Sequence, residues 1–141
     1  MSGFLLDTNC ISELVRPAPD PRVVEWLETA EEAMLHISVL TLGEIRKGVA
    51  ALPQTKRRKR LEDWLDVDLR TRFAGRILPV DDAVAQRWGL LSTQAKRNGT
   101  PLPIIDGLLA ATALHHGLTI VSRNTSDSLN AQVDVLNLWR V

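Results

Sequence analysis

Phe4-Leu5-Leu6-Asp7-Thr8-Asn9 is a short apolar run that stops at an acid and two small polar residues. It predicts a buried first strand that delivers a carboxylate to its C-terminal edge. In an open parallel α/β sheet, ligands bind just outside the carboxyl ends of the strands, so an acid at that place faces a crevice. The same three polar residues also suit a helix cap, because Asp, Thr and Asn accept hydrogen bonds from the first turn of the next helix and tolerate turn conformations. From this stretch alone both readings stand, and further carboxylates at the same edge must decide between them.

Outward from that stretch, apolar segments alternate between strand-like and helical spacing. Ile11 to Val15 predicts a short helix that stops before Pro17 and Pro19. Pro21 suits the first turn of a second helix, with Val23, Val24, Trp26 and Leu27 on its buried side and its end near Ala33. Met34 to Ser38 predicts the second strand, again with a polar exit at Ser38. Val39 to Leu52 carries Leu42, Ile45, Val49 and Leu52 at helical intervals, and Glu44 falls about one turn from its start. A basic helix follows from near Gln54 and ends before Gly75. Arg76 to Val80 predicts a third strand, Asp81 and Asp82 cap a helix that runs to Arg97, and Asn98-Gly99 stops it.

Thr100-Pro101-Leu102-Pro103 is a rigid connector into a helix from Ile104 to His116 that carries Asp106 in its first turn and ends at Gly117. Leu118 to Ser122 predicts a fourth strand and Val133 to Leu136 a last one, with Trp139 as a packing anchor. Strands alternating with helices indicate a doubly wound, mostly parallel sheet in a three-layer α/β/α domain. At 141 residues, the chain has the size of one domain, expected here over residues 1–141.

Composition excludes several classes. Hydrophobic residues make up 45% and charged residues 24%, as in ordinary globular proteins. With 17 basic and 17 acidic residues, net charge carries no sign of nucleic-acid affinity, although local patches still count. A single cysteine, Cys10, precludes an intramolecular disulfide, and no apolar run has the length of a membrane span, so no membrane partner is expected. The start lacks the basic and long apolar regions of a signal peptide, and a cytoplasmic setting is expected.

Placed on this sketch, the acids converge. Asp7 follows strand one, Glu44 lies in the early turns of the helix after strand two, Asp106 opens a late helix, and Asn124 and Asp127 follow strand four. Carboxylates gathered in one crevice repel one another, and a divalent cation relieves that repulsion. The donors are all oxygen, without the Cys or His that zinc favours, so Mg²⁺ or Mn²⁺ is the expected ion. Such an ion suits phosphodiester hydrolysis, because it activates water and stabilises charge on the phosphoryl and leaving oxygens. Thr8, Asn9, Ser38 and Ser122 are candidates to orient the ligands or their waters. Glu13 and Arg16 fall close to the same edge and are candidates for substrate or partner contacts. The run Lys56-Arg57-Arg58-Lys59-Arg60 wraps around its helix, and it reads either as a solvated helix start or as an RNA-phosphate contact. His115 and His116 end a helix, where cationic histidine favours the dipole, and Cys10 has no His near it in sequence to make it a nucleophile.

Four stretches together resemble the PIN-domain family: Asp7-Thr8-Asn9 after a short apolar strand, Thr41-Leu42-Gly43-Glu44-Ile45, Ile105-Asp106-Gly107-Leu108-Leu109-Ala110-Ala111-Thr112-Ala113, and Val121-Ser122-Arg123-Asn124-Thr125. Within that family the chain is most similar to VapC-type toxins of the FitB-like branch. The resemblance implies a metal-dependent endoribonuclease, the toxin of a type II toxin-antitoxin pair, acting on structured RNA such as tRNA. It also implies a homodimer, a cognate VapB-like antitoxin whose C-terminal segment occupies the active-site groove, and a higher-order complex of the two. Asp7, Glu44 and Asp106 match the three central carboxylates. Asn124 stands where many members have a fourth acid, with Asp127 as a nearby acid. Two other readings remain: a phosphoaspartate-forming hydrolase, which normally wants an acid where Asn9 stands, and a non-catalytic module that retains the fold to bind RNA or antitoxin.

Overall fold

The computed structural model describes residues 3–124, 126, 129 and 132–139. Five short strands, β1 (Phe4–Leu6), β2 (Leu35–Ser38), β3 (Ile77–Leu78), β4 (Thr119–Val121) and β5 (Val135–Leu136), form one sheet in the order β3-β2-β1-β4-β5. All four pairings are parallel. The chain builds outward from β1 to β2 and β3 on one side, then returns to β4 and β5 on the other. The strand order therefore reverses between β1 and β4, where an open sheet leaves a crevice at its carboxyl edge.

Alternation along the strands splits the apolar residues between two cores. Leu6 and Val121 face one side with Cys10, Ile11, Val23, Leu27, Leu42, Ile45, Leu65, Leu69 and Phe73. Leu5 and Ile120 face the other with Leu109, Ala110 and Ala113. A sheet of near-continuous apolar strands requires cover on both faces, and the helices supply it. The helices are α1 (Thr8–Ser12), α2 (Pro21–Thr29), α3 (Val39–Ala50), α4 (Lys56–Asp63), α5 (Arg70–Arg72), α6 (Asp82–Arg97) and α7 (Ile104–His116). The expected α/β/α layering is thus present, with a sheet that is wholly parallel.

Several boundaries differ from the sequence reading. Helix α1 starts at Thr8, three residues before the expected Ile11, because Asp7 caps it: Thr8 N donates to Asp7 Oδ1 at 2.7 Å, and Cys10 N and Ile11 N donate to the Asp7 carbonyl. The apolar period begins later only because Thr8 and Asn9 look away from the core. Helix α2 ends at Thr29 where a stop near Ala33 was expected; Ala30 is extended, and a 3₁₀ turn over Glu32–Met34 leads into β2. The basic helix does run unbroken from α4 to α5, but through a π-helical turn at Trp64–Leu69 that buries Leu65 and Leu69. Asp81 caps α6, as expected, by accepting from Val84 N at 3.0 Å. Gly117 ends α7 with φ +66°, a conformation that β-carbons disfavour.

Among the described residues, no helix is long and apolar enough to cross a membrane.

Candidate active site

The carboxyl edge of the sheet is hollow. A cavity of about 580 Å³ opens there, lined by Asp7, Thr8, Asn9, Ser12, Arg16, Glu44, Ile105, Asp106, Leu109, Arg123 and Asn124. Asp7 arrives from the end of β1, Glu44 from the second turn of α3, Asp106 from the first turn of α7, and Asn124 from the segment after β4. Segments that are far apart in sequence thus put three carboxylates and an amide around one volume. Asp127 and Thr125 lie outside the described residues.

Each acid is held by a neighbour. Asp7 is both a cap and a wall of the cavity: Oδ1 accepts from Thr8 N, while Oδ2 accepts from Ser122 Oγ at 2.7 Å. Ser122 is fully buried and also accepts from Asn124 N at 2.9 Å and Asn9 Nδ2 at 3.3 Å, so one hydroxyl ties β1, α1 and the β4 exit together. Glu44 Oε1 accepts from Thr8 Oγ1 at 2.5 Å, and that hydroxyl lies 3.3 Å from Thr41 Oγ1. Asn124 Nδ2 donates to Asp106 Oδ2 at 3.2 Å, and its Oδ1 accepts from Ser126 N. In this arrangement Asn124 acts toward the cavity as a donor that steadies Asp106.

Electrostatics follow from the crowding. Burial, then the charge of Asp7, raise the Asp106 carboxyl above its usual range, against the pull of the Asn124 hydrogen bond. A positive charge would relieve both the desolvation and the repulsion. Among the described residues, no three Asp, Glu, His or Cys side chains form a ready cage for an ion. The donor set nevertheless fits Mg²⁺, which keeps several waters and takes only one or two carboxylates together with substrate phosphate oxygens.

The remaining candidates fall elsewhere. Ser38 is fully buried and caps α3 through Leu40 N at 3.0 Å, away from the cavity lining. None of Lys56 to Arg60 lines the cavity: Arg58 Nη1 donates to the Leu52 carbonyl, and Lys59 Nζ is 3.1 Å from Asp63. His116 faces a separate cavity with Gly3, His36 and Leu118. Partial desolvation, then His115, lower its pKa, so the cationic form that the helix dipole would favour is disfavoured there. Burial first, then Asp7 and Glu13, push the Cys10 thiol up to about 12, which makes it a packing residue. Sequence reasoning assigned no role to Ser12 or Arg123. Asn9 and Ser12 lie on the side of α1 opposite the buried Cys10 and Ile11, a polar pair that helical spacing could have registered, and Arg16 follows the 3₁₀ turn Glu13–Val15 in an extended conformation. Arg123 sits inside the Ser122-Arg123-Asn124 motif itself.

An all-parallel α/β sheet with an acid-lined crevice where its strand order reverses defines a class of α/β domains with a ligand site at that edge, and comparison with known proteins narrows it. The chain belongs to the PIN-domain family, whose profile matches residues 4–129, and it is a homologue of the VapC and FitB toxins. It is 42% identical to Toxin FitB of Neisseria gonorrhoeae over 136 residues, covering 96% of this chain and 98% of that protein. Identity to VapC ribonuclease Y4jK of Sinorhizobium fredii is 38% over 136 residues, 96% of this chain and 97% of that protein. The crystal structure of FitAcB from Neisseria gonorrhoeae superposes with a TM-score of 0.92 at 40% identity, covering 98% of this chain and 99% of that one.

Proposed function

We propose that this chain is a VapC-type ribonuclease, the toxin of a type II toxin-antitoxin pair, and that it hydrolyses phosphodiester bonds in structured RNA with a divalent metal. The observation that carries this reading is the convergence of Asp7, Glu44, Asp106 and Asn124 on one cavity. Its full-length similarity to a FitB toxin and a VapC ribonuclease supports the same activity.

Asp7, Glu44 and Asp106 would hold Mg²⁺, one or two of them directly and the rest through its waters, with Mn²⁺ as the alternative ion. When bound, the ion supplies charge neutralisation at the phosphoryl oxygens and lowers the pKa of a water. The chain supplies order. Ser122 and the Thr8 amide fix both oxygens of Asp7, Thr8 Oγ1 fixes Glu44, and the Asn124 amide fixes one oxygen of Asp106. Carboxylates locked in this way pay little reorganisation when a phosphate group enters. Burial and the charge of Asp7 raise the proton affinity of Asp106, and an adjacent positive charge would favour its ionised form.

Partners follow from the same relationship. Structures of toxin-antitoxin complexes, FitAcB and FitAB, are similar to this chain at 40% and 39% identity, which supports a cognate VapB-like antitoxin. A homodimer that enters a larger complex with the antitoxin is the expected assembly, read by light scattering on a sizing column.

The decisive experiment is cleavage of total cellular RNA, tRNA included, by antitoxin-free protein with Mg²⁺, with Mn²⁺ and with EDTA, beside Asp106→Asn. Discrete products should form with metal and vanish with EDTA and in the variant. Absence of cleavage while metal binding is confirmed would replace the nuclease with a binding module of the same fold.

A further inference from the structure

Two cations line the acidic cavity, Arg16 and Arg123. Among the described residues, neither is hydrogen-bonded to Asp7, Glu44 or Asp106; both are held from behind by one assembly. At its centre is Glu13, which is 1% exposed. Its carboxylate accepts from Arg16 Nη1 at 3.2 Å and 3.1 Å, from Asp20 N at 3.2 Å and from Trp139 Nε1 at 3.0 Å. The Trp139 ring in turn carries the Arg123 guanidinium 5.5 Å from its centroid. Glu13 and Trp139, from opposite ends of the chain, thereby link the two rim arginines.

A buried carboxylate is costly unless it is paired and hydrogen-bonded, and an apolar side chain would join α1 to the C-terminal segment without that cost. Glu13 does something an apolar residue cannot: it orients a cation whose side chain stays 51% exposed. The Trp139 face does the same for Arg123 through its quadrupole. An RNA strand approaching three carboxylates is repelled, and guanidinium groups match phosphate oxygens in both charge and geometry. Arginines ordered before binding lose less side-chain freedom when they engage.

We propose that Arg16 and Arg123 form a two-point clamp on the phosphate backbone of the bound RNA strand, and that Glu13 and Trp139 are the positioning residues that set it. The clamp rests on the nuclease reading above and identifies how that site takes hold of its polyanionic substrate.

The test uses the full chain carrying Asp7→Asn, in EDTA, so that binding is read without cleavage. Affinity for fluorescein-labelled bulk tRNA is measured by anisotropy over a range of KCl, and melting curves establish that each variant is folded. Arg16→Ala and Arg123→Ala should each weaken binding about five- to tenfold and make the log-log salt slope shallower by about one. Glu13→Gln keeps the volume and removes the charge. It should weaken binding about threefold when Arg16 is present and have no further effect beside Arg16→Ala, the non-additivity expected of residues acting as one unit. Trp139→Phe, which keeps a ring face, should bind more tightly than Trp139→Leu.

Unchanged salt slopes in both arginine variants would overturn the clamp. So would a Glu13→Gln loss that persists in full beside Arg16→Ala, since that is the signature of a purely structural carboxylate. If the active chain cleaves RNA while these results appear, the clamp alone falls; if it neither binds nor cleaves RNA, the nuclease reading falls with it.

Discussion

Asp7 and Asp81 share a local grammar: each follows a strand and caps the next helix. Their fates differ. Asp7 ends β1, the central strand, beside the point where the strand order reverses, and Ser122, Glu44, Asp106 and Asn124 arrive around it. Asp81 leaves β3 at the edge of the sheet and starts α6 at the far end of α7, close enough to His116 for its charge to oppose, without reversing, the lowering of that ring's pKa by desolvation and His115. Asp106 and His116 mark opposite ends of α7, which at 13 residues separates them by roughly 15–20 Å. A strand-acid-helix motif is therefore only a cap until topology adds other acids to it. The two readings left open for Asp7 are compatible, because Oδ1 makes the cap while the same carboxylate lines the cavity and accepts from Ser122 through Oδ2.

The largest effect that would test this contrast comes from matched substitutions. Asp7→Asn should reduce RNA cleavage roughly a hundred- to a thousandfold, the scale of losing a group aimed at transition-state charge. Asparagine keeps the cap on Thr8 N but turns an NH₂ toward the Ser122 hydroxyl, so the melting temperature should fall only modestly while the chain stays folded. Asp81→Asn should leave both cleavage and melting nearly unchanged. Equal losses of cleavage in the two variants would break the comparison. Ser122→Ala comes next: Asp7 Oδ2, Asn124 N and Asn9 Nδ2 all lose a buried partner. Cleavage should fall about ten- to a hundredfold, the usual range for residues that orient metal ligands, and stability by about 1–3 kcal/mol. Guanidinium titration and product gels on the same preparation separate those two losses.

Asp106→Asn sharpens the contrast from the side of stability. The folded state raises the Asp106 pKa, so it holds the proton more tightly than the unfolded chain does. Stability from that proton is fully present below the unfolded value and disappears as pH rises through the raised one. At neutral pH without metal, the charged acid is therefore a burden, and Asp106→Asn should melt higher than the wild type while cleaving nothing. The gap should close as pH falls from neutral toward the carboxylate range, read by thermal melts in EDTA across that interval. Active sites commonly hold such charges at the expense of stability.

Much of this was legible because the informative residues sit at punctuation points. Asp7 follows an apolar run, Glu44 is one turn into a periodic segment and Asp106 opens another, so alternating strands and helices bring them to one edge whatever the details of packing. Element ends were less legible. Helix α1 begins at polar Thr8 because a cap, not apolar period, starts it, and the sequence has no marker for the π turn at Trp64–Leu69, which packs against α3 and buries Leu65 and Leu69 in the first core. The direction of the Asn124 amide was hidden too, since it depends on Asp106 and Ser126. Likewise Trp139 reads as a packing anchor until Glu13, buried at the other end of the chain, is found to accept from its indole.

The smallest effect belongs to Lys56 to Arg60, the other stretch with two open readings. The fold spends part of this charge internally: Arg58 bonds the Leu52 carbonyl and stands 3.6 Å from Glu62, and Lys59 pairs with Asp63. The exposed Lys59–Asp63 pair is worth only tenths of a kcal/mol and Arg58–Glu62 is half-buried, so together they dampen the patch without silencing it. Arg57 is exposed, and Arg57→Ala should make the salt slope for tRNA shallower by less than about one, a long-range field effect and not a lost phosphate contact. Arg58→Ala should instead lower the melting temperature, because its bond ties the end of α3 to α4, and leave the slope nearly intact. An Arg57→Ala slope change as large as that of Arg16→Ala would place α4 on the path of the RNA, and the binding surface would then extend from the cavity along the basic helix.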